Sequence, residues 1–143
     1  MRQIYYRFML VLVTVVCNVT AGAQSTLDSP EKLRDAFLAT RKSGDVEAAM
    51  KLFCPAKTGK WVLDMYRRSV ESAVTLPLVS ATVEPLSSDK KPKTPHSAEP
   101  LGRLIFVFDT SKQKGVAIEQ SFLYFGRVDN GYCFALPIAP ERT

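Results

Sequence analysis

The residues able to carry chemistry are few and scattered along the chain. It holds one histidine, His96, and three cysteines, Cys17, Cys54 and Cys133. General acid–base catalysis requires a proton carrier with a tuned pKa inside a dry pocket. His96 lies between Pro95 and Ser97 in a stretch dense in Pro, Lys and Ser, which predicts solvent around it. Asp64, three residues after Trp61, reads as a solvent-facing helical acid. Glu119 and Gln120 carry more information, because they interrupt the otherwise apolar run "VAIEQSFLYF". Alternation alone does not say which of them points inward. Facing the core, Glu119 would be a buried carboxylate in need of a partner such as Arg103 or Tyr66. The blander expectation is an outward acid on a solvated sheet face.

Other chemistries find less support. One histidine and distant cysteines supply no clustered ligand set, so neither a metal nor another cofactor is expected. Neither cysteine beyond the N-terminal segment has a histidine near it in sequence, which makes a thiol nucleophile a poor reading. There is no Gly-rich phosphate loop and no Gly-x-Ser-x-Gly elbow. The formal net charge of +5 is spread along the chain, and no basic stripe is interleaved with stacking aromatics, so a nucleic-acid partner is not expected. The run "KKPK" at residues 90–93 could touch an acidic partner or a phospholipid surface, but reads as a solvated loop.

The N-terminus has the layout of a secretory leader. Two arginines precede the apolar run "FMLVLVTVV" at residues 8–16, and "AGA" at residues 21–23 places small residues before Gln24. A bilayer-spanning helix needs about 20 apolar residues, and this run is broken by Asn18 and Thr20. Cleavage after Ala23 removes Cys17 and predicts an exported protein, periplasmic or secreted, with no transmembrane segment. What is left, residues 24–143, suits one domain. Cys54 and Cys133 then form an even pair in an oxidising compartment, where such pairs become disulfides. Two buried free thiols are the alternative.

The elements follow from periodicity and punctuation. Ser29, Pro30 and Glu31 read as N-cap, first helical position and first turn, with Leu33, Ala36, Phe37 and Thr40 on one face and Gly44 as the stop. Asp45 caps a second helix striped by Val46, Ala49, Met50 and Phe53 and ended by Pro55. A third helix is expected from about Thr58, with Trp61, Val62, Met65 and Tyr66 inward. The period then changes to two. Val79, Ala81 and Val83 alternate with Ser80, Thr82 and Glu84 as a half-buried strand. Residues 87–102 have the composition of a long flexible loop. "RLIFVFD" at residues 103–109 reads as a central strand, residues 116–128 as a long strand, and "DNG" at residues 129–131 as an Asn-Gly hairpin turn. "YCFALPI" returns until Pro137. Helices followed by antiparallel strands make an α+β domain with N-terminal helices packed on a curved antiparallel sheet.

This order, with the "SGD" break at residues 43–45, the short helix ending "KLFCP" and the closing "DNGYCFALP", resembles the nuclear-transport-factor-two-like, or cystatin-like, superfamily, in particular its small exported bacterial members. The resemblance implies a cone whose open end can hold a small molecule. Members that are isomerases, dehydratases or cyclases use Asp, His or Tyr inside the cone. Here the first helix turns Phe37 and Leu38 inward with no tyrosine, and Pro55, Ala56 and Lys57 stand where a base commonly sits. Most of the aromatics, among them Phe106, Phe108, Phe122, Phe125, Tyr132 and Phe134, are expected to be core. Trp61, Tyr66, Glu119 and Tyr124 are the candidates to line a pocket. The expectation is a non-catalytic exported domain that binds a small apolar ligand or an envelope partner. The alternatives are a cone-type isomerase or cyclase using Glu119 with a tyrosine, and a structural accessory protein marked by an exposed apolar sheet face.

Overall fold

A computed structural model describes residues 27–54, 57–114 and 118–139. The expected leader, Cys17 and the helix-stopping Pro55 lie outside these residues. Three helices, α1 (Pro30–Ser43), α2 (Val46–Met50) and α3 (Lys60–Thr75), precede four strands, β1 (Leu78–Pro85), β2 (Gly102–Asp109), β3 (Ile118–Val128) and β4 (Gly131–Phe134). The strands form one antiparallel sheet in the order β1-β2-β3-β4. The α+β architecture read from the period change is therefore the one the chain adopts.

Local signals place α1 as its caps require. The Ser29 hydroxyl accepts the Lys32 N–H, Pro30 opens the helix, and Gly44 closes it at φ 72°, a left-handed conformation that a residue without Cβ adopts without strain. Asp45 caps α2 through its carboxylate, which accepts the Ala48 N–H. The α2 stripe stops short of its expected length. After Met50 the chain turns through Lys51 and Leu52, and Phe53 and Cys54 then run beside β4, with a parallel bridge between Phe53 and Phe134. The Phe134 N–H donates to the Leu52 carbonyl at 2.9 Å, and the Cys54 N–H donates to the Phe134 carbonyl at 2.8 Å. These bonds cover an edge of β4 that would otherwise present unpaired groups.

That pairing brings Cys54 to Cys133. Their Cα atoms stand 5.0 Å apart and the sulfurs are bonded at 2.07 Å, closing a sequence separation of 79 residues.

The core lies between the helices and one face of the sheet. Leu33 and Phe37 of α1, Ala49 of α2 and Val70 of α3 meet Leu104, Phe106 and Phe108 of β2, Phe125 of β3 and Phe134 of β4. Phe134 is fully buried, its ring 5.4 Å from Phe37 and 5.2 Å from Phe53. Arg41 ties α1 to the end of α3: its guanidinium donates to the carbonyls of Ala73 and Leu76, which have no helical partner, and lies over the Phe108 ring. Burial lowers the pKa of Arg41 from its ordinary value.

Several local expectations need correcting. On α3 the buried positions are Val62 and Val70, whereas Met65 is 46% exposed. A one-residue step in the β1 ladder between Leu78 and Ser80 turns Val79 out of the alternation, leaving it 61% exposed. The hairpin loop is Asp129-Asn130, because Val128 pairs with Gly131, and the left-handed residue is Asp129 at φ 52°. Finally, Phe122 is 43% exposed on the outer sheet face.

The Pro/Lys/Ser-rich segment after β1 returns across that outer face. Ser97 donates to the Leu136 carbonyl, Ile138 donates to that of Pro95, and Ala98 and Pro100 are buried. Gly126 permits the approach: a Cβ there would come within 2.7 Å of Ala98 and closer still to the Glu99 carbonyl. Ala98 joins Cys54 and Ala135 in a small second cluster on that side.

Candidate functional site

The helices and the sheet part where α3 runs past the ends of β2 and β3. The reason is local to α3. Ser69, Ser72 and Ala73 follow one another at helical spacing, so small side chains occupy the stripe where larger ones would close the gap. The result is a narrow apolar slot of about 40 Å³ whose walls include Phe37, Tyr66, Val70, Ala73, Phe106 and Leu123. Above it opens a vestibule of about 270 Å³ lined by Ser69, Ser72, Ala73, Leu76, Phe108, Glu119 and Ser121. The two share Ser69, Ala73, Phe108 and Ser121 and form one cleft, apolar below and polar at the rim.

Register decides the place of Glu119. It pairs with Phe108, whose ring is buried among the helices, while Gln120 pairs with Val107. Glu119 is therefore on the helix-facing side, at the exposed rim of the cleft. The expected outward acid is corrected: β3 overhangs the end of α3, so an inward position there is wet. Neither partner foreseen for a buried Glu119 is placed there. Arg103 stands on the outer face, ion-paired to Glu84 at 2.7 Å, and Tyr66 lies in the slot below.

The four pocket candidates are divided among three places. Tyr66 is half-buried in the slot wall, its ring edge-on to Phe53 at 5.7 Å. Tyr124 sits on the opposite face of β3 from Glu119, packed edge-on against His96 at 5.5 Å and Phe122 at 5.2 Å. His96 itself is half-buried, its Nδ1 2.7 Å from the Thr94 carbonyl, rather than free in solvent. Trp61 lines an open groove along α3 with Asp64, Met65 and Arg68, which adjoins the vestibule through Ser69 and Ser72. The residues that sequence reasoning missed are Ser69, Ser72, Ala73 and Ser121. For the first three the only signal was the run of small side chains at helical spacing within "RRSVESAVTL", and for Ser121 there was none beyond its place two residues after Glu119.

Electrostatics mark Tyr66. Burial pushes its phenol above the ordinary value of 10.0, and the nearby Tyr124 phenol adds a smaller push in the same direction. The folded state thus holds the Tyr66 proton more tightly than the unfolded chain does. This contribution is fully present below the ordinary phenol pKa and is lost as pH rises through the raised one. Replacing Tyr66 by Phe is therefore expected to reduce the alkaline loss of stability, read from urea melts on both sides of pH 10. An unchanged alkaline limb would remove Tyr66 as its source.

Among the described residues, no three His, Cys, Asp or Glu side chains cluster closely enough to hold a metal ion. No described helix is long and apolar enough to cross a membrane. No family model, curated protein or solved structure matches the chain.

Proposed function

We propose that this chain is an exported, non-catalytic binding domain of the cone-shaped, nuclear-transport-factor-two-like kind, and that it takes a small, largely apolar molecule in the cleft between α3 and strands β2 and β3. The observation that carries the reading is the composition of the cleft. An apolar slot lies beneath a rim of three serines and one carboxylate, the usual division between a hydrophobic floor and a few orienting polar groups. The order of three helices before a four-stranded meander supports the kinship. The leader-like N-terminus and the Cys54–Cys133 bond support export.

Size limits the ligand. Phe37, Phe53, Phe106 and Phe134 fill the interior, so only the end of a short chain or a methyl group enters the slot, and the remainder occupies the vestibule. The isomerase or cyclase alternative is narrowed by the register to Glu119 with Tyr66, the tyrosine that lines the same cleft. Glu119 and Tyr124 lie on opposite faces of β3, and one substrate atom cannot face both.

Nuclear magnetic resonance titration with short alcohols and ketones tests the binding reading. Shifts are expected to concentrate at Ser69, Ala73, Phe108, Ser121 and Leu123, and to vanish in Ala73→Phe, which fills the slot. Shifts that persist in the folded Ala73→Phe protein, or none at millimolar concentrations, would overturn it. A second reading, a structural accessory protein, is favoured by the outer sheet face. There Ile105, Val107 and Phe122 stand together, with Ile105 directly opposite Phe122.

A further inference from the structure

The slot and the vestibule meet at a seam formed by the residues common to both, Ser69, Ala73, Phe108 and Ser121. Its polar side chains come from opposite walls, Ser69 from α3 and Ser121 from β3. Register sets Ser121 opposite the buried Phe106, hence on the helix-facing side of the sheet. Charged groups lie near the seam but are occupied. Arg41 is held by two carbonyls at the end of α3 and by the Phe108 ring, and Glu119 at the rim is engaged within the protein. An uncharged ligand head therefore suits the seam. The two seam hydroxyls differ in what they offer. A serine hydroxyl has one proton to donate and two lone pairs that accept. Ser69 donates its proton to the Met65 carbonyl at 3.1 Å, a bond back to the preceding turn of α3, so toward the cleft it acts as an acceptor. Among the described residues, no hydrogen bond within the protein uses the Ser121 hydroxyl, and its proton is available. One acceptor and one donor are the complement of a single ligand hydroxyl, which donates to Ser69 and accepts from Ser121.

We infer that the cleft selects small secondary alcohols whose hydroxyl is on the carbon next to a terminal methyl group. The methyl group enters the slot beside Val70 and Leu123, the hydroxyl bridges Ser69 and Ser121 at the seam, and the rest of the chain lies in the vestibule against Leu76 and Phe108. The inference rests on the binding reading above and adds to it the choice of head group. The matching methyl ketone has the same carbon skeleton, but its carbonyl only accepts. It takes the Ser121 proton and leaves Ser69 without a donor. A primary alcohol of the same carbon count has the right head, but seating its hydroxyl at the seam leaves the slot empty.

The test compares sec-butanol, methyl ethyl ketone and n-butanol on the full chain after leader removal, by resonance titration. The secondary alcohol is expected to bind about 3- to 5-fold tighter than the ketone, the range of one net hydrogen bond at a partly exposed site, and tighter than n-butanol. Ser69→Ala should remove the advantage over the ketone while leaving ketone binding unchanged. Ser121→Ala should weaken both, because both accept its proton. Ser69 and Ser121 are exposed, so neither alanine variant is expected to unfold. Equal affinities for sec-butanol and the ketone, or a preference that survives Ser69→Ala, would overturn the inference while leaving the cleft as a ligand site. Binding of n-butanol as tight as that of sec-butanol would overturn the seating of the methyl group in the slot. Failure of all three compounds to shift cleft resonances would overturn the binding reading and, with it, the inference.

Discussion

Replacing both cysteines, as Cys54→Ala with Cys133→Ala, is expected to lower the free energy of unfolding by about 4 kcal/mol. The magnitude follows from what the bond denies the unfolded chain. It closes a separation of 79 residues, and the chain-entropy relation for such a loop comes to about 4.5 kcal/mol at 25 °C, from which the replaced side chains and residual structure subtract. The constrained span contains α3 and strands β1 to β3, so the released chain gains freedom over most of the domain. The folded state keeps its local pairing, because the hydrogen bonds between residues 52–54 and Phe134 do not depend on the sulfurs. The variant should therefore fold, with a lower urea midpoint, and the oxidised wild type should move toward it on reduction. A loss smaller than about 1 kcal/mol, against a usual 2–5 kcal/mol for such bonds, would mean that the bond adds little. Two thiols alkylated without reductant would remove the bond itself.

Phe134→Ala is the second large effect, expected to cost about 3–5 kcal/mol. Phe134 is the point at which four parts of the chain meet. It is fully buried, contacts the rings of Phe37 on α1 and Phe53 after α2, and pairs in register with Phe125 on β3. Removing the ring leaves a cavity between elements that are held by other bonds and cannot collapse into it. Phe122→Ala provides the comparison. That ring is 43% exposed on the outer face, and its loss should remain below about 1 kcal/mol. Comparable losses at the two sites would contradict the assignment of the two sheet faces. Paired chemical denaturation of both variants supplies the measurement.

The cleft was less legible in the sequence than the core. Apolar side chains announce themselves by type and period: "RLIFVFD" read as a central strand, and the fold then buries Leu104, Phe106 and Phe108 on its helix-facing side. A cavity is signalled by what is missing, here the bulk at Ser69, Ser72 and Ala73, and small residues along a helix have many ordinary reasons to be there. Trp61 and Met65 attracted attention as large apolar groups at helical spacing, but they lie on the outer flank of α3, with Met65 nearly half exposed. Which of two apolar stripes on a helix is buried depends on how the helix is rotated against its neighbours. That rotation follows from packing against α1, α2 and the sheet, and not from the stripe.

Glu119 shows the same limit in a strand. Its neighbours specify that Glu119 and Gln120 face opposite ways, but pairing with Phe108 is what selects the face. An inward carboxylate was expected to be costly because inward usually means dry. At this position β3 extends beyond the helices, so the residue is inward and wet at once.

The sequence by itself determined the existence of three helices, the caps of α1 and the N-cap of α2, the change from helical to strand period, the centrality of β2 and the two cysteines available for pairing. These follow from local sterics, hydrogen bonding and side-chain period, all of which act within a few residues. Only the tertiary structure decided that residues 52–54 leave their helix to run along β4, that Val79 drops out of its strand, and that Glu119 and Ser121 face Ser69 across a cleft. Those outcomes depend on register and helix rotation, which are set by contacts between segments far apart in the chain.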